Sequence, residues 1–205
     1  MPTAEAVAVL AIPHAWATGI RLLRLRSYVH APTFWQFGVA SAGGGLVGAL
    51  LQSRLSGPVL TVVLGTLLIV AGTTELLRRP IPLPQTPIWR LWGGVLSGVF
   101  GGLVGNQGGI RAAALLGFGL SPRQIVATAT ASAMLVDAAR IPIYLFTAGP
   151  TIAATSRLWS IILIGVTFGT FLGVPALGRI PEGIYRRLVG GLILLIGISL
   201  LAAAL

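Results

Sequence analysis

Long apolar segments, separated by short connections that carry most of the charge, constrain this chain more than any other feature. Hydrophobic residues make up 55% of its 205 residues, charged residues make up 9%, and the mean hydropathy is +0.93. A soluble domain carries about 25% charged residues, so this chain has too few to cover a water-facing surface. Side chains that face acyl tails should be apolar, and the composition therefore predicts an all-α polytopic membrane protein.

Seven apolar segments reach the length of about 20 residues that a spanning helix needs. Backbone hydrogen bonds must close internally in lipid, and no segment alternates like a barrel strand, so we expect seven transmembrane helices. The predicted spans are Ala6–Leu25, Phe34–Leu51, Pro58–Leu77, Ile88–Leu120, Gln124–Phe146, Leu158–Leu177 and Ile184–Leu205.

The arginines in the connections predict the orientation and the partners. The net charge of +10 would suggest nucleic acid in a soluble protein, but basic residues in short loops indicate a lipid bilayer instead. With seven spans, seven arginines fall on one side and five on the other. The excess predicts a plasma (inner) membrane protein with the N-terminus outside and the C-terminus in the cytoplasm.

The sequence also repeats itself. A shift of 119 places Arg21 on Arg140, and a shift of 125 aligns five later pairs. We interpret this as a four-span repeat with both halves in the same orientation: 1–79 with three helices, a Pro-rich linker at 80–87, and 88–205 with four helices. The first helix of the first half is missing, so we expect either an upstream start or a seven-span version. The later pairs are Gly44/Gly169, Gly48/Gly173, Arg54/Arg179, Gly65/Gly190 and Gly72/Gly197.

The Gly-rich fourth span holds the first candidate site. Its small-xxx-small pairs between Gly94 and Gly105 favour close helix packing. The following residues make a poor helix interior, and a half-helix starting near Gly109 would point free N–H groups inward, where they attract anions. The alternative is that Arg111 extends to the far interface. The predicted substrate-binding residues for a small oxyanion are Asn106, Gln107, Gly108, Gly109 and Arg111.

Ionisable residues at membrane depth form a second candidate site. Asp137 and Arg140 lie at i, i+3 near the middle of the fifth span, where charges usually face the bundle interior. The repeat places Thr18 and Arg21 opposite them, and His14, which titrates in a range suited to proton movement, lies one turn earlier. We expect either a structural ion pair or a site that couples transport to a proton.

The sequence has few residues that could act in catalysis or bind a metal ion. The chain has two His, no Cys and four acidic residues, and none stand at the spacing of a metal site or a nucleophile–base pair. We therefore expect no catalytic residue, no metal, no cofactor and no enzyme activity. An intramembrane enzyme is the less favoured alternative.

Three motifs, two of them glycine-rich, carry a resemblance to a known family. They are G-x-x-S-G-x-x-G-G-x-x-G at Gly94–Gly105 with Gly119–Pro122 after it, A-x-A-x-x-x-x-P-H-A-x-A-T at Ala6–Thr18, and F-G-x-x-S-A-G-G-G-L-V-G-A-L-L at Phe37–Leu51. Together they resemble the sulfite exporter TauE/SafE family, also called the toluene-sulfonate uptake permease family. The resemblance covers essentially the whole chain.

The resemblance implies a permease or exporter of small anions such as sulfite, sulfonates or related organosulfur oxyanions. Family members usually have two halves that each open with a Gly-rich span, whereas this chain has only the second of those spans. It also carries G-N-Q-G-G-I-R at 105–111 where many members have a plainer run. These departures keep open a non-transporting or truncated subunit that needs a partner, and a homodimer that fills the gap.

Overall fold

Seven helices account for almost all of the residues that the computed structural model describes, which are 2–55, 57–77, 86–105, 108, 111, 114–115, 118–177 and 182–204. We number them in chain order. They are α1 (Thr3–Leu25), α2 (Ala31–Gln52, with a π-helical stretch at Phe34–Gly38), α3 (Gly57–Leu77), α4 (Pro87–Val104), α5 (Pro122–Ala154), α6 (Ser156–Leu177) and α7 (Glu182–Ala204).

This architecture confirms the predicted all-helical membrane fold. Four helical stretches are long and apolar enough to cross a membrane, and α4, α6 and α7 contain shorter apolar stretches. Large apolar side chains such as Leu23, Phe146 and Leu172 are exposed on the bundle surface, where acyl chains would cover them. The fifth predicted span is longer than expected, because its helix continues to Ala154 through non-helical backbone at Ala148.

Local sequence signals fix where two helices begin. Ser121 and Gln124 form a capping box at the start of α5, and Pro122 occupies its first turn. Thr86 accepts a hydrogen bond from the backbone N–H of Trp89 at the start of α4. Both arrangements satisfy N–H groups that a helix start leaves without intrahelical partners.

Helices α2 and α4 run parallel in very close contact. A Cβ atom at Gly98 would overlap the carbonyl oxygen of Ser41, and one at Gly102 would overlap that of Gly45. Residues later in α4 therefore contact residues later in α2, as expected for two parallel helices. This is the packing role that we predicted for the small residues of the Gly-rich span.

The helices that the repeat makes equivalent run antiparallel. On α1 and α5, His14 contacts Asp137, whereas Gly19, further along α1, lies opposite the earlier residue Met134. On α3 and α7, Gly65 lies against Gly197 and Gly72 against Gly190. The prediction that both halves share one orientation is therefore wrong, because the paired helices run in opposite directions, as they do in inverted repeats.

The reason is that the predicted single span Ile88–Leu120 is two segments. Helix α4 ends at Gly105, whose φ of 75° and ψ of −4° are left-handed and stop a helix at little cost for glycine. Gly93 then lies against Ala114, so the chain has turned back along α4. We call 105–121 the return segment.

Because of the return segment, α5, α6 and α7 run in the direction opposite to the one that a single span would give them. Helices α4 and α5 both run parallel to α2. On α5, Ser132 lies against Gly38 of α2 and Val136 lies against Gly45. Helix α7 consequently ends at the same end of the bundle as Thr3. The expectation of termini on opposite sides is therefore wrong.

Candidate functional site

Three ionisable side chains from α1 and α5, two of them buried, form a cluster at mid-bundle. Asp137 is 0% exposed; its Oδ1 accepts a hydrogen bond from Nε of Arg140 at 2.9 Å and lies 2.7 Å from Nη2 of the same side chain. The other carboxylate oxygen, Oδ2, lies 2.8 Å from Nδ1 of His14. The i, i+3 spacing on α5 therefore makes an ion pair, and α1 adds a histidine to it.

The end of α4 supplies further partners for this cluster. Arg140 donates through Nη1 to the carbonyl oxygen of Gly101, and the Tyr144 hydroxyl donates to the carbonyl oxygen of Gly102. Carbonyl groups in the last turn of a helix lack intrahelical donors and carry partial negative charge. A buried cation is costly unless it is paired, and Asp137 and the end of α4 together compensate Arg140.

A cavity of about 340 Å³ lies directly beside the cluster. It extends from the middle of α1 toward the C-terminal end of that helix, and along the first turns of α5. Its lining includes the predicted residues His14, Thr18, Arg21, Gly108 and Arg111, together with Gly105, Ile125, Val126, Ala129, Thr130 and Ala133.

The polar lining of this cavity is cationic or neutral. Arg21 is exposed, whereas Arg111 is 5% exposed and donates from Nη1 to the carbonyl oxygen of Ala129 at 3.3 Å. None of the described residues that line the cavity is acidic. An anion entering this space would therefore meet two guanidinium groups and no carboxylate.

The structure places the predicted site residues in two neighbouring groups. His14, Thr18, Arg21, Gly108 and Arg111 share the cavity, while Asp137 and Arg140 lie behind His14. The remaining three, Asn106, Gln107 and Gly109, lie outside the described residues. The assignment of all of them to substrate or ion binding stays a prediction.

Sequence reasoning missed two contributors to this region. Thr130, on the cavity wall, and Tyr144 lie on the helical face of α5 that carries Asp137 and Arg140. Positions 126, 130, 133, 137, 140 and 144 recur at three- and four-residue intervals, which is the spacing of one helix face. Extending that face from Asp137 in both directions would have found them.

The described residues contain no group of three or more His, Cys, Asp or Glu side chains that could hold a metal ion. Among the described residues, the side chains that line the cavity offer guanidinium, imidazole and hydroxyl groups. All three can donate hydrogen bonds to an oxyanion.

The helical bundle, with its exposed apolar surface, is that of a polytopic membrane protein. The chain matches the family described as Sulfite exporter TauE/SafE over residues 1–200, and it belongs to that family. This confirms the resemblance carried by the glycine motifs. Comparisons with curated proteins and with solved structures give no match.

Membership fixes the broad class of function. The family is one of membrane transporters of the sulfite-exporter type, in line with the expectation that the chain is not an enzyme. The apolar helices and the family together place the protein in a membrane.

Proposed function

We propose that this protein transports a small oxyanion, such as sulfite or an organic sulfonate, and binds it in the cavity between α1, α5 and the return segment. One observation carries the proposal: Arg21 and Arg111, remote in sequence, line the same cavity. Guanidinium groups bind sulfite-like oxygens through charge-assisted hydrogen bonds, and two such groups can share one anion.

The size and position of the cavity support this assignment. Its volume of about 340 Å³ lies within the range of small-molecule sites and leaves room for water around a small anion. It lies at the contact of α1 with α5, which the repeat makes equivalent. Secondary transporters with inverted repeats bind their substrates at such interfaces.

The arginines orient the site with respect to the membrane. Among the described residues, arginines that flank helix ends fall seven to two in favour of the end of the bundle opposite Thr3. By the positive-inside rule that end is cytoplasmic, so both termini face outward and the cavity lies on the cytoplasmic side. The seven are Arg21, Arg24, Arg26, Arg90, Arg123, Arg186 and Arg187, against Arg54 and Arg157.

A flux assay on purified protein in liposomes tests the proposal. The panel contains sulfite, sulfate, thiosulfate and methanesulfonate, each with and without a proton gradient. We expect Arg111→Gln to lower flux of the accepted anion by at least about tenfold, since a charged hydrogen bond contributes about 1.5–3 kcal/mol. Arg54→Gln is the matched control, because it removes the same charge from the exposed connection between α2 and α3.

Two results would contradict this assignment. Equal flux in wild type and Arg111→Gln, with both inserted and folded, removes Arg111 from the site. No flux of any panel anion by wild type contradicts the proposed substrate class and favours the reading as a subunit that needs a partner.

A further inference from the structure

We infer that His14 is the proton-binding residue of this transporter, and that it takes up its proton together with the anion. The inference rests on the proposed function and names the group that couples proton binding to anion binding. Its geometric basis is that His14 lines the cavity and its Nδ1 lies 2.8 Å from Oδ2 of the buried Asp137. Its side chain is 42% exposed, against 0% for Asp137.

The hydrogen bond to Asp137 determines which nitrogen of His14 titrates. Asp137 forms an ion pair with Arg140, and the carboxylate of an ion pair only accepts hydrogen bonds. Nδ1 of His14 must therefore carry a hydrogen and donate it to Oδ2 at 2.8 Å. Protonation then takes place at Nε2, the nitrogen that Asp137 does not contact.

Asp137 is a poor proton carrier in the same arrangement. Protonating it would leave Arg140, which is 2% exposed, beside a neutral partner in the bundle interior, and an uncompensated buried charge is costly. Protonating His14 instead adds a cation next to a carboxylate that already faces it. Between Asp137 and His14 as the group that carries the proton, the geometry favours His14.

The charged groups around His14 act on it in opposite directions. Asp137 favours the imidazolium, whereas Arg140 on α5, Arg21 on the same helix as His14 and Arg111 of the return segment disfavour it by like-charge repulsion. An anion between Arg21 and Arg111 would remove most of the repulsion from those two residues. By linkage, a proton on His14 and an anion in the cavity should therefore favour each other's binding.

Sulfite affinity measured between pH 5.5 and 8.5 on wild type and His14→Gln tests the inference. Both proteins meet the same mixture of sulfite ions, so the ionisation of the ligand cancels in the ratio of their affinities. We expect wild type to bind about tenfold more tightly than His14→Gln at pH 5.5 and within about threefold of it at pH 8.5. Near-equal binding at pH 8.5 also shows that the variant is folded.

His30 provides the matched control, because it is the other histidine and hydrogen-bonds to Thr33 away from the cavity. His30→Gln should keep the wild-type pH dependence. An affinity ratio that is the same at both pH values, or a loss of pH dependence in His30→Gln, overturns the inference while leaving the proposed function intact. An absence of sulfite binding by wild type at every pH would instead overturn both.

If His14→Gln fails to fold, nitrogen NMR of the two histidines in wild type decides the question. We expect one histidine to hold its hydrogen on Nδ1 at high pH and to gain one on Nε2 on acidification, with a midpoint that sulfite raises. A midpoint that sulfite leaves unchanged overturns the inference.

Discussion

Two neighbouring regions of the bundle differ in whether an arginine has a carboxylate partner on its own helix. In the mid-bundle cluster, Arg140 is 2% exposed, pairs with Asp137 and donates to the end of α4. In the cavity, the repeat-equivalent Arg21 is exposed, and Thr18 stands at the position of the acid. The same residue type at equivalent positions is thus neutralised in one half and left available to an anion in the other.

The comparison shows how equivalent positions of a repeated sequence can differ in the charge that surrounds them. An acid three residues before the arginine supplies an internal counter-ion and turns the pair into structure. Replacing that acid by Thr18 removes the counter-ion, so a soluble anion can take its place. The asymmetry at a single position therefore separates the stabilising pair from the candidate binding site.

The largest expected effect comes from breaking the buried pair. Asp137→Asn leaves Arg140 buried without its carboxylate, which should lower the free energy of unfolding by about 3–5 kcal/mol. Thermal unfolding in detergent measures this loss of stability. The double variant Asp137→Asn/Arg140→Gln is the control and should lose less, because no uncompensated charge remains. A single variant as stable as wild type would show that the pair does not support the fold.

A smaller loss of stability should follow from separating α2 and α4, whose contact positions the carbonyl groups that Arg140 and Tyr144 use. Gly98→Ala places a methyl group against the backbone of Ser41, and such overpacking costs about 1–3 kcal/mol. Gly43→Ala is the matched control, since nothing lies within 4 Å of a Cβ there. The same thermal unfolding assay applies, and an equal response of the two variants would contradict the close approach.

Part of this arrangement could be predicted from the sequence. Hydropathy and the scarcity of charge predicted the helical membrane fold, and the i, i+3 spacing brought Asp137 and Arg140 together. The repeat pointed to Thr18 and Arg21 as their counterparts. Each of these inferences used local spacing, which helix geometry translates directly into position.

The contacts that complete the site are long-range, and no local pattern encodes them. The hydrogen bond from His14 to Asp137 joins residues 123 apart in sequence, and its existence depends on α1 and α5 running antiparallel. That direction depends on the left-handed turn at Gly105. The glycine and amide residues at 105–109 predict a break in the helix, but they do not indicate that the chain turns back there, so 88–120 looks like one span.

Restoring the missing acid tests the comparison with the smallest perturbation. In Thr18→Asp, a carboxylate stands three residues before Arg21, as Asp137 stands before Arg140. The new charge should neutralise Arg21 and repel an anion in the cavity, and about 1.4 kcal/mol of lost attraction would weaken sulfite binding by about tenfold. Thr18→Asn is the matched control, because it has the same shape without the charge, and both affinities are measured by titration at pH 8.5. If the two variants bind sulfite equally well, the availability of Arg21 does not depend on the absence of an acid at this position.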